Sequence, residues 1–189
     1  MATRKKTSPS QFQLKIELIG IKPLIWRRVI VPETITLAKL HDVIQAVMGW
    51  SDSHLHEFEI AGERYGIPDP DDSFGPSVIS EARAKLKGCL QGMASFRYVY
   101  DFGDDWEHKI KVEKVLPPDP LPMLLCVGGA NACPPEDVGG PYSYPEFLAA
   151  IADSGHPDHD EMLEWIGGAF DPVVVNYDAI DQRLRDIKI

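Results

Sequence analysis

The chain has no stretch long and apolar enough to span a bilayer: no run approaches the roughly 18 consecutive apolar residues such a helix requires. Its opening, MATRKKTSPSQ, is basic and polar and lacks the apolar segment of a secretory signal. A cytoplasmic protein without membrane contact is expected. Cysteine is scarce as well. Cys89, Cys126 and Cys133 are an odd number, which without a secretory signal argues against a disulfide framework and leaves free thiols. Positive charge is thin in the second half. Residues 101–171 hold 3 Lys/Arg against 15 Asp/Glu, a net of −12, whereas residues 1–50 hold 8 against 3, a net of +5. Nucleic-acid affinity comes largely from Lys and Arg displacing counterions, so the acidic half opposes a phosphate backbone and any such contact falls to the N-terminal part.

The common catalytic templates are also missing. There is no Gly-x-Ser-x-Gly elbow, no phosphate loop and no His-Glu-x-x-His. Asp101-Phe102-Gly103 spells a kinase triplet. No Gly-rich loop or His-Arg-Asp loop accompanies it, and 189 residues are too few for two lobes.

What is present is ordinary globular composition, 44% hydrophobic and 25% charged with four Trp, in one domain's length of chain. Gln11 to Leu18 alternates strictly, Phe12, Leu14, Ile16 and Leu18 on one face, and predicts a half-buried strand. Ile25 to Val31 predicts its hairpin partner, stopped by Pro32. Thr36 is a good N-cap for a helix with Leu37, Leu40, Val43, Ile44, Val47 and Met48 at helical spacing, and Gly49 a plausible C-terminal stop. His54 to Ile60 predicts a strand, and Gly66 to Pro76 an exposed loop. Residues 78–94 are ambiguous, with a short strand and a turn of helix ending near Gly92.

A second hairpin follows. Phe96, Tyr98, Tyr100 and Phe102 share one face, as do Trp106, His108, Ile110 and Val112, with Gly103-Asp104-Asp105 as the turn. Eight of sixteen prolines fall between Pro117 and Pro145, which predicts a long irregular segment. Ser143-Tyr144-Pro145-Glu146 has capping-box spacing and opens a helix through Ile151. Pro157 suits the first turn of another with Met162, Trp165 and Ile166 on one face, and a last helix runs near Ile180, Leu184 and Ile187. The fold class expected is α+β: a β-grasp-like mixed sheet with a packed helix, a Pro/Gly-rich segment and C-terminal helices.

Three histidines are candidate metal ligands. Alternation puts His54 and His56 on one strand face with Phe58 and Ile60, and His108 on the apolar face of the later strand. Neutral imidazoles converging there can hold zinc or another divalent metal, with Asp104, Asp105 or Glu57 as base or further ligand. The bland alternative is a set of core histidines, each bonded to a carbonyl or carboxylate. Acids in the Tyr100–Ile110 stretch are equally explained by the preference of Asp for turns. Cys126 and Cys133, seven positions apart, do not match zinc-finger spacing. Glu136 and Asp137, bracketed by Gly128-Gly129 and Gly139-Gly140, can reach a nearby cation, although bracing of the loop by Pro134-Pro135 is the plainer use. His156 and His159 suit surface or capping positions, with an i, i+3 ligand pairing as the alternative.

The blocks GIKPLIWRRVIVPETITLAKLHDVIQAVMGWSDSHLHEFEI, YVYDFGDDWEHKIKVEKVL, CPPEDVGGPYSYPEFLAAI and LEWIGGAFDP, in this order, resemble the plasmid pRiA4b ORF-3-like family. The resemblance runs from about Phe12 onward. Its matching motif positions are Trp26, Arg27, Arg28, His54, His56, Asp101–Asp104, Trp106, His108, Cys133–Asp137, Gly139 and Gly140. It implies an α+β fold of β-grasp-like character with no established activity. Some members carry a resolvase label from their place beside mobile elements; this chain shows neither a nucleophilic serine among arginines nor a helix-turn-helix. Residues 1–10 are expected as a flexible tail and 11–189 as a single domain, with a core over 11–116 and a loop and helical extension over 117–189.

Two functional classes follow. One is a non-enzymatic protein-interaction module associated with plasmid or mobile-element genes, which needs the fewest coincidences and leans against an enzyme. The other is a metal-dependent hydrolase or nuclease-like enzyme with His54, His56 and His108 as ligands and Asp104 or Asp105 as base.

Overall fold

The computed structural model describes residues 8–69, 77–120 and 123–189. Most of the expected N-terminal tail (residues 1–7) and most of the expected acidic loop (residues 70–76) lie outside the described residues. The chain builds one eight-stranded sheet with five helices among the described residues. The strands are β1 (Gln11–Leu18), β2 (Trp26–Pro32), β3 (His56–Ile60), β4 (Glu63–Gly66), β5 (Ile79–Ser80), β6 (Ser95–Tyr100), β7 (Trp106–Leu116) and β8 (Leu125–Ala130). The helices are α1 (Leu37–Met48), α2 (Leu86–Leu90), α3 (Gly140–Ala152), α4 (His159–Ile166) and α5 (Tyr177–Asp186).

Strand order is β5-β4-β3-β6-β7-β1-β2-β8. Every pairing is antiparallel except the short β4–β5 pair. The sheet is therefore mixed, as the alternation of strands and helix implied. Strand β1, between β7 and β2, runs antiparallel to both neighbours.

Alternation explains the core. Leu14, Ile16 and Leu18 are fully buried, and register sets Leu18 opposite His108, which in turn faces Tyr98. Tyr100 pairs with Trp106 on one side and His56 on the other, so one face carries a continuous aromatic row. Helix α1 packs on that face. Thr36 caps it by accepting the Lys39 amide at 3.3 Å, and Gly49 ends it at φ 95° with its N–H on the Gln45 carbonyl. Arg27, only 2% exposed, turns inward from β2 and donates to the Val47, Trp26 and Ala130 carbonyls, tying α1 and β8 to the sheet. On the opposite face Arg28 holds Glu113 at 2.6 Å and stacks 4.9 Å from the centre of the Trp26 ring. That pair draws the Glu113 carboxyl down to about 2, chiefly through the Arg28 hydrogen bond.

Four expectations change. Phe102 does not continue the apolar row. Strand β6 stops at Tyr100 and Asp101 enters the left-handed region at φ 57°, which leaves Phe102 54% exposed. The turn contains the expected Gly103, Asp104 and Asp105 but starts one residue earlier, at Phe102, and its left-handed residues are Asp101 and Asp105 while Gly103 needs no positive φ. The Pro-rich segment contains β8, which adds to the sheet edge because its own span, Leu125–Ala130, is free of proline. Helix α3 starts at Gly140, with Pro141 in its first turn, instead of at the Ser143 capping box.

Candidate functional site

Three segments far apart in sequence meet at one end of the sheet: residues 51–55 after α1, residues 101–105 between β6 and β7, and residues 131–139 before α3. Hydrogen bonds hold them together. The Trp50 indole N–H donates to the Pro134 carbonyl at 3.0 Å, and the Ser51 amide donates to Glu136 at 3.1 Å. The Tyr100 hydroxyl donates to Glu136 at 2.5 Å while accepting the Ser53 amide at 3.0 Å. Asp104 accepts the Gly139 amide at 3.1 Å. The Ser51 hydroxyl also donates to Glu136. Burial alone raises the Glu136 carboxyl, but donors from Ser51 and Tyr100 outweigh it and hold the group below the usual carboxylate range. Glu136 is thus a fixed anion joining residues 131–139 to residues 51–55 and to the end of β6, while Asp104 ties residues 101–105 to Gly139.

Beside it lie His54, Asp101 and Asp137. Their ligand atoms all fall within 4.8 Å of one another. His54 Nε2 stands 2.9 Å from Asp137 Oδ1 and 3.6 Å from Asp101 Oδ2. It makes no aligned hydrogen bond although the atom itself is buried. A nitrogen and two carboxylate oxygens this close without a shared hydrogen-bond line have the arrangement of ligands around a common centre. The backbone makes this possible: Asp101 at φ 57° and Asp137 at φ 60° are left-handed non-glycine residues. Asp101 uses Oδ1 to accept the Gly103 and Asp104 amides at 2.9 and 3.3 Å, leaving Oδ2 for His54.

The other sequence candidates go elsewhere. His54, His56 and His108 do not share one metal-sized group among the described residues. His54 precedes β3, so strand alternation does not govern it. His56 is buried in β3, stacks on His41 and donates Nε2–H to Glu81 at 2.9 Å. His108 is fully buried between Tyr98 and the edge of Trp50, and its Nδ1–H donates to the Trp106 carbonyl at 2.9 Å. Asp104 clamps the loop at Gly139, and Asp105 is an exposed turn residue. Glu57 pairs with Arg64 at 2.5 Å. Cys126 and Cys133 are free thiols, and burial pushes the Cys133 thiol up. His156 accepts the Asp158 amide and His159 donates to the Ala150 carbonyl, both helix-end roles.

A second constellation escaped the sequence reading. His41, on α1, donates Nε2–H to Asp52 at 2.8 Å and accepts from the Tyr98 hydroxyl at 2.8 Å, with Gln45 donating to that hydroxyl at 3.3 Å. The available signal was the helical spacing of His41 with Leu37, Leu40 and Ile44, which sets it on the buried stripe.

The profile of the plasmid pRiA4b ORF-3-like protein family matches residues 10–179. The chain belongs to that family. The chain is 44% identical over 183 residues to an uncharacterized protein of Sinorhizobium fredii, covering 94% of this chain and 92% of that one. It is also similar to the crystal structure of a protein of unknown function from Methanosarcina mazei Go1, with a TM-score of 0.79 and 38% identity over 91% of this chain and 98% of the other. This pRiA4b ORF-3-like chain has, among its described residues, no helix long and apolar enough to cross a membrane.

Proposed function

We propose that this protein binds a divalent metal ion through His54, Asp101 and Asp137 and uses it as a hydrolytic enzyme does, to activate water. The observation that carries the reading is the buried His54 Nε2, which faces two carboxylates from separate loops without a hydrogen bond. One imidazole and two carboxylates suit zinc, manganese or iron, and three protein ligands leave positions for water and substrate. An ion held by His54, Asp101 and Asp137 would supply the activation of water that hydrolysis needs. Glu136, Tyr100, Ser51 and Ser53 fix the loops that supply the ligands, the support a metal site requires.

The test is elemental analysis of protein purified without chelator or metal-affinity steps. One divalent ion per chain is expected, lost in His54→Ala and Asp137→Asn and retained in His56→Gln. Metal-free wild-type protein that also fails to take up zinc or manganese on dialysis ends the proposal. With metal confirmed, a panel of chromogenic esters and phosphodiesters should show turnover that chelator abolishes.

A second reading is a non-enzymatic module that docks another protein. It is supported by exposed apolar residues at the same end, Leu55 at 64% and Phe102 at 54%, whose backbone segments are joined by the hydrogen bond that the Asp101 N–H donates to the Leu55 carbonyl. The family's name supports a setting among plasmid genes for either reading. Leu55→Ser with Phe102→Ser should then abolish capture of a partner without changing metal content.

A further inference from the structure

We propose that the cavity between α3 and α4 binds an organic cation, an ammonium or guanidinium group carried on an apolar body. This deepens the metal reading, since Asp137 lines the cavity and also faces His54, which makes such a cation the substrate class of that site.

The cavity has a volume of about 640 Å³, room for a drug-sized molecule. Its lining includes the apolar side chains of Phe147, Met162 and Trp165. Its charged lining is acidic, with Asp137, Glu146 and Asp158 beside His156, and among the described residues no Lys or Arg lines it. Glu146 has no ion-pair partner among the described residues. Trp165 is 44% exposed, and Phe147 meets it edge-on at 5.7 Å and 77°, which steadies the indole while part of it stays open to a ligand.

An indole beside carboxylates is a recurring receptor for organic cations, because the ring face and the anions attract the same charge. The sequence around the cavity reinforces the sign. From Val115 to Gln182 the chain has twelve Asp or Glu and no Lys or Arg. The field over this region therefore draws cations in and repels phosphates and carboxylates. An apolar lining suits more than a bare inorganic ion, since a ligand with an apolar body would cover the exposed part of Trp165. Asp137 is the residue that the cavity shares with the His54 cluster.

The experiment uses the full-length protein and phenethylamine, with 2-phenylethanol and phenylacetate as neutral and anionic isosteres. Binding is followed by NMR through the Trp165 indole N–H, first in chelator and again after zinc loading. Phenethylamine should saturate in both conditions, weaken as salt rises, and bind about tenfold tighter than the alcohol, a ratio typical of one good charge interaction. Glu146 is exposed, so Glu146→Gln should keep the fold and lose most of that preference. Equal affinity for amine and alcohol, or no saturation by any of the three, overturns the proposal. Amine binding to metal-free protein that never takes up zinc would uphold the cavity and remove the metal reading. A blocked Ala-Lys-Ala peptide separates the sources: binding tighter than free phenethylamine assigns the cation to a basic side chain, weaker binding to a small amine.

Discussion

His41 and His56 lie face to face, ring centroids 3.5 Å apart and planes 9° from parallel. Each is held at its outer edge by a carboxylate, His41 by Asp52 and His56 by the buried Glu81. Two unit charges about 4 Å apart repel by about 4 kcal/mol at an effective dielectric of 20, so the pair resists carrying two protons. Burial, and then His56, push the His41 pKa below its ordinary 6.5 against the pull of Asp52. Replacing His56 with Gln keeps a donor for Glu81 and removes the repulsion, so His41 should titrate at higher pH in His56→Gln than in wild type. NMR titration of the imidazole protons checks this, and an unchanged or lower value contradicts the coupling.

His108 makes stability depend on pH in a defined direction. Burial holds its pKa at about 4, against 6.5 for a free imidazole. Unfolded chains take up this proton near pH 6.5 and folded chains only near 4, so between those values the unfolded state holds more protons. Stability should be full above about pH 6.5 and fall as pH drops toward 4, by roughly 3 kcal/mol for this group alone. Denaturant melts across that range check it, and His108→Gln should flatten the slope. A wild-type slope shared by the variant would assign the effect to other groups.

Gly140 admits no side chain. It sits at φ 74°, and a Cβ there would lie 2.3 Å from the Asp104 carbonyl oxygen. Gly140→Ala should therefore cost more than about 2 kcal/mol in thermal or denaturant unfolding. Because α3 starts at this contact and Gly139 bonds to Asp104, the variant should also loosen the loop that carries Asp137. A drop in metal affinity beside the stability loss is the expected pair of results.

Much of the fold was legible because its signals are local. The strict alternation of Phe12, Leu14, Ile16 and Leu18 and the Thr36 to Gly49 helix are both patterns readable within a short window, and both appear where the pattern put them. The Trp106–Val112 face is buried as far as Ile110 for the same reason. The ends of elements were less legible. Phe102 fitted the alternation, yet one left-handed residue, Asp101, turned it outward. Strand β8 was hidden because flanking prolines dominated the composition of a segment whose pairing partner, β2, lies about a hundred residues earlier.

The site shows the same division more sharply. Sequence alone established which residue types were available: histidines, a carboxylate-rich turn, a Pro/Gly-framed loop with Glu136 and Asp137, and an acidic second half hostile to phosphate. It also established the family. Which of those residues meet was decided only by tertiary structure. His54 left the strand register that seemed to pair it with His56, and found Asp101 and Asp137 instead. His56 found His41 and Glu81, and His108 was sealed in the core. The physical reason is that alternation fixes a side chain's face only inside a strand, whereas loop residues are placed by long-range contacts such as Tyr100 to Glu136 and Asp104 to Gly139, whose partners no local pattern names.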